Sequence, residues 1–533
     1  MATSYDVVVI GGGHNGLVCA AYLAKAGRSV LVLERRHLLG GAAVTEEIFP
    51  GFKFSVCSYV VSLLRPQIIS DLELPRHGFE LLPLDGTLTP MPDGDYLMRW
   101  HAAADTRREL LRHSAADAEA YEQFGQLMYH LAMGVKPLLE MPPPDPTSLS
   151  PRGLARLAGV GRVFGAAREH LYDLAKLMTM SSADFVEQWF ESEPLRGTLS
   201  ASGIIGTFLG PRSPGSAYVM LHHYMGEIDG QLRAWGLPRG GMGAVSEAIA
   251  GAARSHGAEI RTEAPIERVL VRRGRAAGVV LEGGGEIAAT TVVSSLDPKR
   301  TFEVLVEPEH LDDGFRQQIS RYKIRGSTGK VNLALDALPE LTCLQGIEGR
   351  TGFPAEAYLR GALSISPSID YLESAYEDAK YGRYSRRPYM DIVVPTVVDP
   401  SMAPAGKHVM SIFVQYAPYE LKEGSWADQR EAFGDTVIDT LAEYIPNLEE
   451  IILHRQVLTP WDLEKTFGLT QGNIFHGELT LEQLFFLRPA AGWADYSSPI
   501  QGLYLCGSGT HPGGGVMGAP GMLAARKILA ESR

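Results

Sequence analysis

An unbroken apolar run, Val7-Val8-Val9-Ile10, stands near the start of the chain. Glycines follow it, then a helical period, then a second apolar run, Val30-Leu31-Val32-Leu33, that ends at Glu34. β-Branched runs without polar alternation predict strands buried on both faces, as in a parallel sheet covered by helices. The strand signal returns at Ala258 to Thr262, Ile266 to Arg272, Ala277 to Leu281 and Thr291 to Ser295. Gly240-Gly241-Met242-Gly243 opens a helix through Ser255 just before them. Further on, Val331 to Leu335, Asp391 to Val394 and Val409 to Tyr416 read as strands, and Trp426 to Tyr444 as a helix. Roughly from 70 to 235, helical periodicity with methionines and aromatics takes over, and Asp370 to Arg387, rich in tyrosine and both charge signs, reads as a solvated surface excursion.

The first strand leads into Gly11, Gly13 and Gly16, a G-x-G-x-x-G pattern in strand–turn–helix context. The first glycine allows the tight turn, the second lets a pyrophosphate approach the backbone, and the third lets helix and strand pack closely. The helix N-terminus adds free N–H groups and positive dipole. Glu34, ending the second strand, suits the two ribose hydroxyls of an adenosine and would repel a 2′-phosphate. FAD or NAD is therefore favoured over NADP, an inference that Arg35 and Arg36 temper. Gly40-Gly41-Ala42 follows at short distance and reads either as a second cofactor contact or as a helix stop. No further fingerprint precedes a helix, so no separate nicotinamide domain is expected.

These patterns predict an α/β fold: a Rossmann nucleotide-binding domain, discontinuous in sequence (1–69, 236–300 and 500–533), with an inserted α+β substrate domain (70–235 and 301–499). A chain of 533 residues has room for two or three such units. Net charge of −13 excludes a nucleic-acid partner, since phosphate binding needs a basic face. No apolar run is long enough to span a membrane and no leader peptide is evident, so a cytoplasmic location is expected. Cys19, Cys57, Cys343 and Cys506 are scattered, which argues against a zinc site or dithiol centre, and no metal is assigned.

Met141 to Pro146 reads as an extended connector. Beyond it, Arg152, Arg156, Arg162 and Arg168 alternate with Leu154, Leu157, Val160 and Phe164. Such a basic amphipathic segment is either a core-facing helix with solvated arginines or a peripheral membrane contact. His222-His223 reads as structural, because neighbours on a helix point apart. At the C-terminus, Gly502 to Gly521 is again strand, glycine turn and helix, bringing a second helix terminus to a long cofactor. Within it, His511 either moves a proton at the reacting centre or shapes the loop with Pro512.

The run Gly507-Ser508-Gly509-Thr510-His511-Pro512-Gly513-Gly514-Gly515-Val516 resembles the C-terminal signature of phytoene desaturases, in the carotenoid and retinoid oxidoreductase family. Together with Met517-Gly518-Ala519, His222-His223, Gly240 to Gly243 and Asn473-Ile474-Phe475-His476, it is most similar to the branch of the pyridine nucleotide-disulphide oxidoreductase domain-containing protein 2 type. The resemblance implies a glutathione-reductase-like FAD domain. It places Gly11, Gly13, Asn15 and Gly16 at the pyrophosphate, Glu34 with Arg35 beside it at the ribose, and Ile266 at the adenine. Gly41 and Ala42 fall at the flavin end, Gly507 and Ser508 at the ribityl phosphate, and Val516 and Met517 at the isoalloxazine. It further implies hydride exchange with an apolar polyene, isoprenoid or lipid-like small molecule. An amine oxidase and a non-catalytic FAD-containing regulator are the other classes left open, and the oligomeric state is undetermined.

Overall fold

The computed structural model describes residues 4–532. Two seven-stranded sheets carry the architecture. In the first, strands Glu259–Arg261, Val30–Leu33, Ser4–Ile10, Glu286–Ser294 and Leu503–Leu505 lie side by side and parallel. The hairpin Ile266–Arg272 and Arg275–Leu281 extends this sheet antiparallel. The opening apolar run is buried on both sides, as its composition requires. Val7 and Val9 share a core with helices His14–Lys25, Gly243–Ser255 and Ala519–Glu531, while Val8 and Ile10 pack with Phe302, Leu305 and Phe315.

The second sheet runs in the order Ile452–Leu458, Thr328–Leu335, His408–Gln415, Tyr389–Val393, Ala362–Ile365, Gly86–Pro90, Tyr96–Trp100. Its two faces differ, because alternate residues point to opposite sides. One face sets Val331, Ile412, Ile392 and Met98 against Trp426, Phe433 and Leu441. The other carries Lys330, Phe413, Asp391 and Ser364 as cross-strand neighbours in a single row. Helices between 103 and 224, built around Phe124, Met128, Phe185 and Met220, form a further core.

Segments grouped together by sequence pattern divide differently in space. Phe302 to Ile319 pack on the first sheet, and strands between 86 and 100 complete the second. The expected excursion from Asp370 to Arg387 is corrected: Ile369–Lys380 is a helix that buries Leu372, Ala375 and Ala379 with Tyr416. Its apolar residues recur at helical spacing but are outnumbered by charges that face solvent. Among the described residues, no helix is long and apolar enough to cross a membrane.

The last helix crosses the fingerprint helix at Gly521, where a Cβ would run into the carbonyl oxygen of Asn15. Gly521→Ala should therefore lower stability by about 1–3 kcal/mol, the usual cost of overpacking. A drop in the urea midpoint is the expected reading, and an unchanged midpoint would show that the crossing can spread without cost.

Candidate functional site

The carboxyl ends of the parallel strands open into a cleft, the usual ligand position in such sheets. Gly11 makes the turn at φ +90°, a left-handed value that favours glycine, and its N–H donates to the Leu33 carbonyl at 2.8 Å. The cleft is lined by Gly11, Gly13, Asn15, Glu34, Arg35, Gly41, Ala42, Ile266 and Ser508, drawn from both ends and the middle of the chain. Gly16 and Gly507 stand behind this lining. A Cβ on Gly16 would collide with the Gly11 carbonyl, and one on Gly507 with that of Ser295. Asn15 Nδ2 donates to Ser508 Oγ at 3.0 Å and so joins the first turn to the last.

The lining suits an adenine dinucleotide. No heavy atom stands within 4 Å of where a Gly13 Cβ would be, which leaves room for a pyrophosphate over the backbone. Glu34 Oε2 accepts from the Gly12 N–H at 2.8 Å and Oε1 from the Arg36 N–H at 2.9 Å. These bonds fix the carboxylate and leave lone pairs for hydroxyl donors. Asn15 Oδ1 and His14 Nε2 are buried without partners. Arg35 lines the cleft, but its guanidinium donates to the Lys465 and Thr466 carbonyls at 3.2 and 2.8 Å. Arg300, which sequence reasoning passed over, lines the same cleft.

A deeper cavity borders this cleft, and His14, Ala42, Ile474 and Ser508 line both. Its walls include Leu63, Trp235, Phe413, Phe475 and Val516. Lys330 enters it from the second sheet, 2% exposed, with Nζ 4.5 Å over the Tyr59 ring and without a hydrogen-bond partner. Burial lowers its pKa to about 7, an effect that the nearby Cys57 and Asp391 oppose. Tyr59 donates through its hydroxyl to Asp391 Oδ2 at 2.7 Å, and burial raises the Asp391 pKa to about 6. Burial likewise lowers His14 and His476 to about 4, so both are neutral acceptors or donors at physiological pH.

Two expected residues lie elsewhere. His511 lines neither cavity: its Nε2 hydrogen-bonds the Leu138 carbonyl at 2.7 Å and its ring packs on Phe485. It shapes the loop, and the proton-moving role is set aside. Met517 lines neither cavity; its side chain is buried behind Leu63, a wall of the deep cavity, and against Ala519. His222 Nε2 meets the Gly514 carbonyl at 3.2 Å, and His223 meets the Val219 carbonyl at 2.9 Å while lining the deep cavity. Lys330 and Asp391 were missed, although a charge inside an otherwise apolar strand was a signal available in the sequence.

Residues 9–69 match the NAD(P)-binding Rossmann-like domain, and residues 184–529 match the family described as flavin containing amine oxidoreductase. With the bordering cavities, these matches define an FAD-dependent oxidoreductase. The chain is 42% identical to pyridine nucleotide-disulfide oxidoreductase domain-containing protein 2 of Rattus norvegicus, covering 99% of this chain and 94% of that protein. It is 27% identical to a limonene dehydrogenase subunit of Castellaniella defragrans, covering 99% and 94%, and 25% identical to prolycopene isomerase 1 of an Oncidium hybrid, covering 99% and 84%. An oxidoreductase from Methanosarcina mazei shares the fold at TM-score 0.60 and 18% identity, over 99% of this chain and 100% of that one. The chain belongs to the flavin containing amine oxidoreductase family, in its phytoene desaturase-like part and in the branch of the Rattus protein.

The buried lysine gives a pH signature. Its folded pKa of about 7 lies below the ordinary 10.5, so between these values the unfolded chain binds more protons and stability rises with pH. Compared with Lys330→Met, the wild type should gain stability from about pH 7 upward, with no relative change below it. Urea unfolding of both proteins across this range is the measurement, and parallel profiles would contradict the assignment.

Proposed function

We propose that this chain is a dehydrogenase, desaturase or isomerase acting on an apolar, unsaturated isoprenoid or lipid-like substrate. The observation that carries the reading is the deep cavity: apolar and aromatic walls around one buried lysine without a hydrogen-bond partner, bordering the dinucleotide cleft at His14, Ala42, Ile474 and Ser508. Relatives named for limonene and for prolycopene, each aligned with 99% of the chain, support the apolar substrate class.

In this reading Gly11, Gly13, Asn15 and Gly16 serve the pyrophosphate and Glu34 the ribose. Ile266 flanks the adenine, Gly41 and Ala42 reach towards the flavin end, and Ser508 takes the ribityl phosphate, with Gly507 packed behind it on Ser295. Val516 lies against the ring system, with Met517 contributing only main chain. FAD, when bound, supplies a two-electron acceptor for hydride. The walls of the deep cavity exclude water and seat an apolar chain. Lys330, with a pKa near 7, can hold or release a proton at Nζ during turnover. The Tyr59–Asp391 pair braces the ring beneath that ammonium. Exposed Leu149, Leu154 and Tyr172 beside the basic helix Pro151–Ala166 support a peripheral membrane contact as the route for such a substrate.

Glu34→Ala should weaken FAD binding by about tenfold or more, the loss of hydrogen bonds to a charged acceptor. Flavin release followed by fluorescence reads this directly. An unchanged dissociation constant would remove Glu34 from the ribose.

A further inference from the structure

A second cavity, of about 250 Å³, lies on the same face of the second sheet and shares Ile205, His223 and Trp235 with the deep cavity. Its floor continues the row that begins at Lys330. Register leads from Asp391 to Ser364, across the parallel pair of Ala362 with Thr87, and from Thr87 to Arg99. Five strand steps separate Lys330 from Arg99. At about 4.8 Å per step, that is about 24 Å along the sheet.

Arg99 is only 7% exposed. Its Nη2 donates to Thr198 Oγ1 at 3.0 Å, while its Nε is buried with no partner. Arg99 enters no ion pair among the described residues. Asp391, the carboxylate that lines this cavity, already accepts the Tyr59 hydroxyl. Arg233 stands nearby with its guanidinium over the Tyr224 ring, donating to the Tyr121 hydroxyl at 3.2 Å, so it adds a second cation to the lining. His101, His223 and the Tyr389 hydroxyl complete the titratable groups there. A buried guanidinium with an open donor edge is costly unless an anion meets it. Its planar fork matches a carboxylate.

We propose that the substrate is an amphipathic carboxylic acid, with its carboxylate on Arg99 and its apolar chain passing Trp235 and Ile205 to the flavin cavity. This rests on the apolar-substrate reading above and narrows it. The two ends of one molecule are recognised at the two ends of one row of the sheet. The cation fixes how far the chain reaches, and hence which of its carbons meets the cofactor.

The test uses the FAD-loaded protein and three saturated probes of equal chain length, long enough to span the row: octadecanoate, octadecanol and methyl octadecanoate. Calorimetry gives affinity, and the flavin absorbance band reports arrival in the deep cavity. The acid should bind at least about tenfold more tightly than the alcohol or ester, the range expected for a charge-assisted hydrogen bond. Arg99→Met should abolish that preference while leaving FAD content and octadecanol affinity unchanged, and Arg99→Lys should restore part of it. Equal binding of the three probes to the wild type would overturn the carboxylate assignment and leave the apolar-substrate reading standing. An acid preference that survives in Arg99→Met would also overturn it, and would move the carboxylate to another cation of the lining such as Arg233. Failure of all three to bind would overturn both readings together.

Discussion

The structure depends on how closely three distant stretches of backbone approach one another at the mouth of the first sheet. Ser295 Oγ donates to the carbonyls of Ile10 and Gly11 at 3.0 Å each, and the Cys506 N–H donates to the Ser294 carbonyl at 2.8 Å. Asn15 reaches across to Ser508. Side chains at Gly16, Gly507 or Gly521 would occupy the space these contacts use. The dinucleotide cleft is thus assembled from the first turn, the middle of the chain and the last turn. No single segment contains it.

The second sheet solves a different problem. Its outer face is an ordinary apolar core, but its inner face buries Lys330, Asp391 and Arg99, each less than a tenth exposed. Burying charges costs several kcal/mol apiece unless partners offset it. Here Lys330 Nζ and Arg99 Nε have none, and Asp391 has the Tyr59 hydroxyl. The Tyr59 ring under Lys330 and the charges of Lys330 and Arg99 near Asp391 offset part of this cost, but they leave the two nitrogens without hydrogen bonds. A site accounts for that, because the missing partners are then supplied by the molecules that bind, and the shifted Lys330 and Asp391 pKa values follow from the same burial.

Much of this was legible in the sequence. The run Val7 to Ile10, the glycines after it and Glu34 specify strand, turn and acid through local sterics alone, and the C-terminal glycine run did the same for the last turn. What sequence pattern could not give was juxtaposition. His511 lies close in sequence to the cofactor-binding loop yet points to Leu138, while His14, inside the fingerprint, lines both cavities. Lys330 stands just before the apolar run Val331 to Leu335 and Asp391 at the head of its own, so both read as strand ends where the structure buries them within the sheet. Ile369–Lys380 was hidden for the converse reason, its buried stripe being masked by the charges on its exposed face.

The central claim is that one cofactor site is closed by a bond between the two ends of the chain. A double-mutant cycle on FAD dissociation with Asn15→Ala, Ser508→Ala and the double variant tests it most directly. Each single change is expected to weaken FAD binding and the double variant to be little worse than either, a coupling of about 0.5–3 kcal/mol. Strictly additive losses, or single variants that retain FAD as the wild type does, would contradict it.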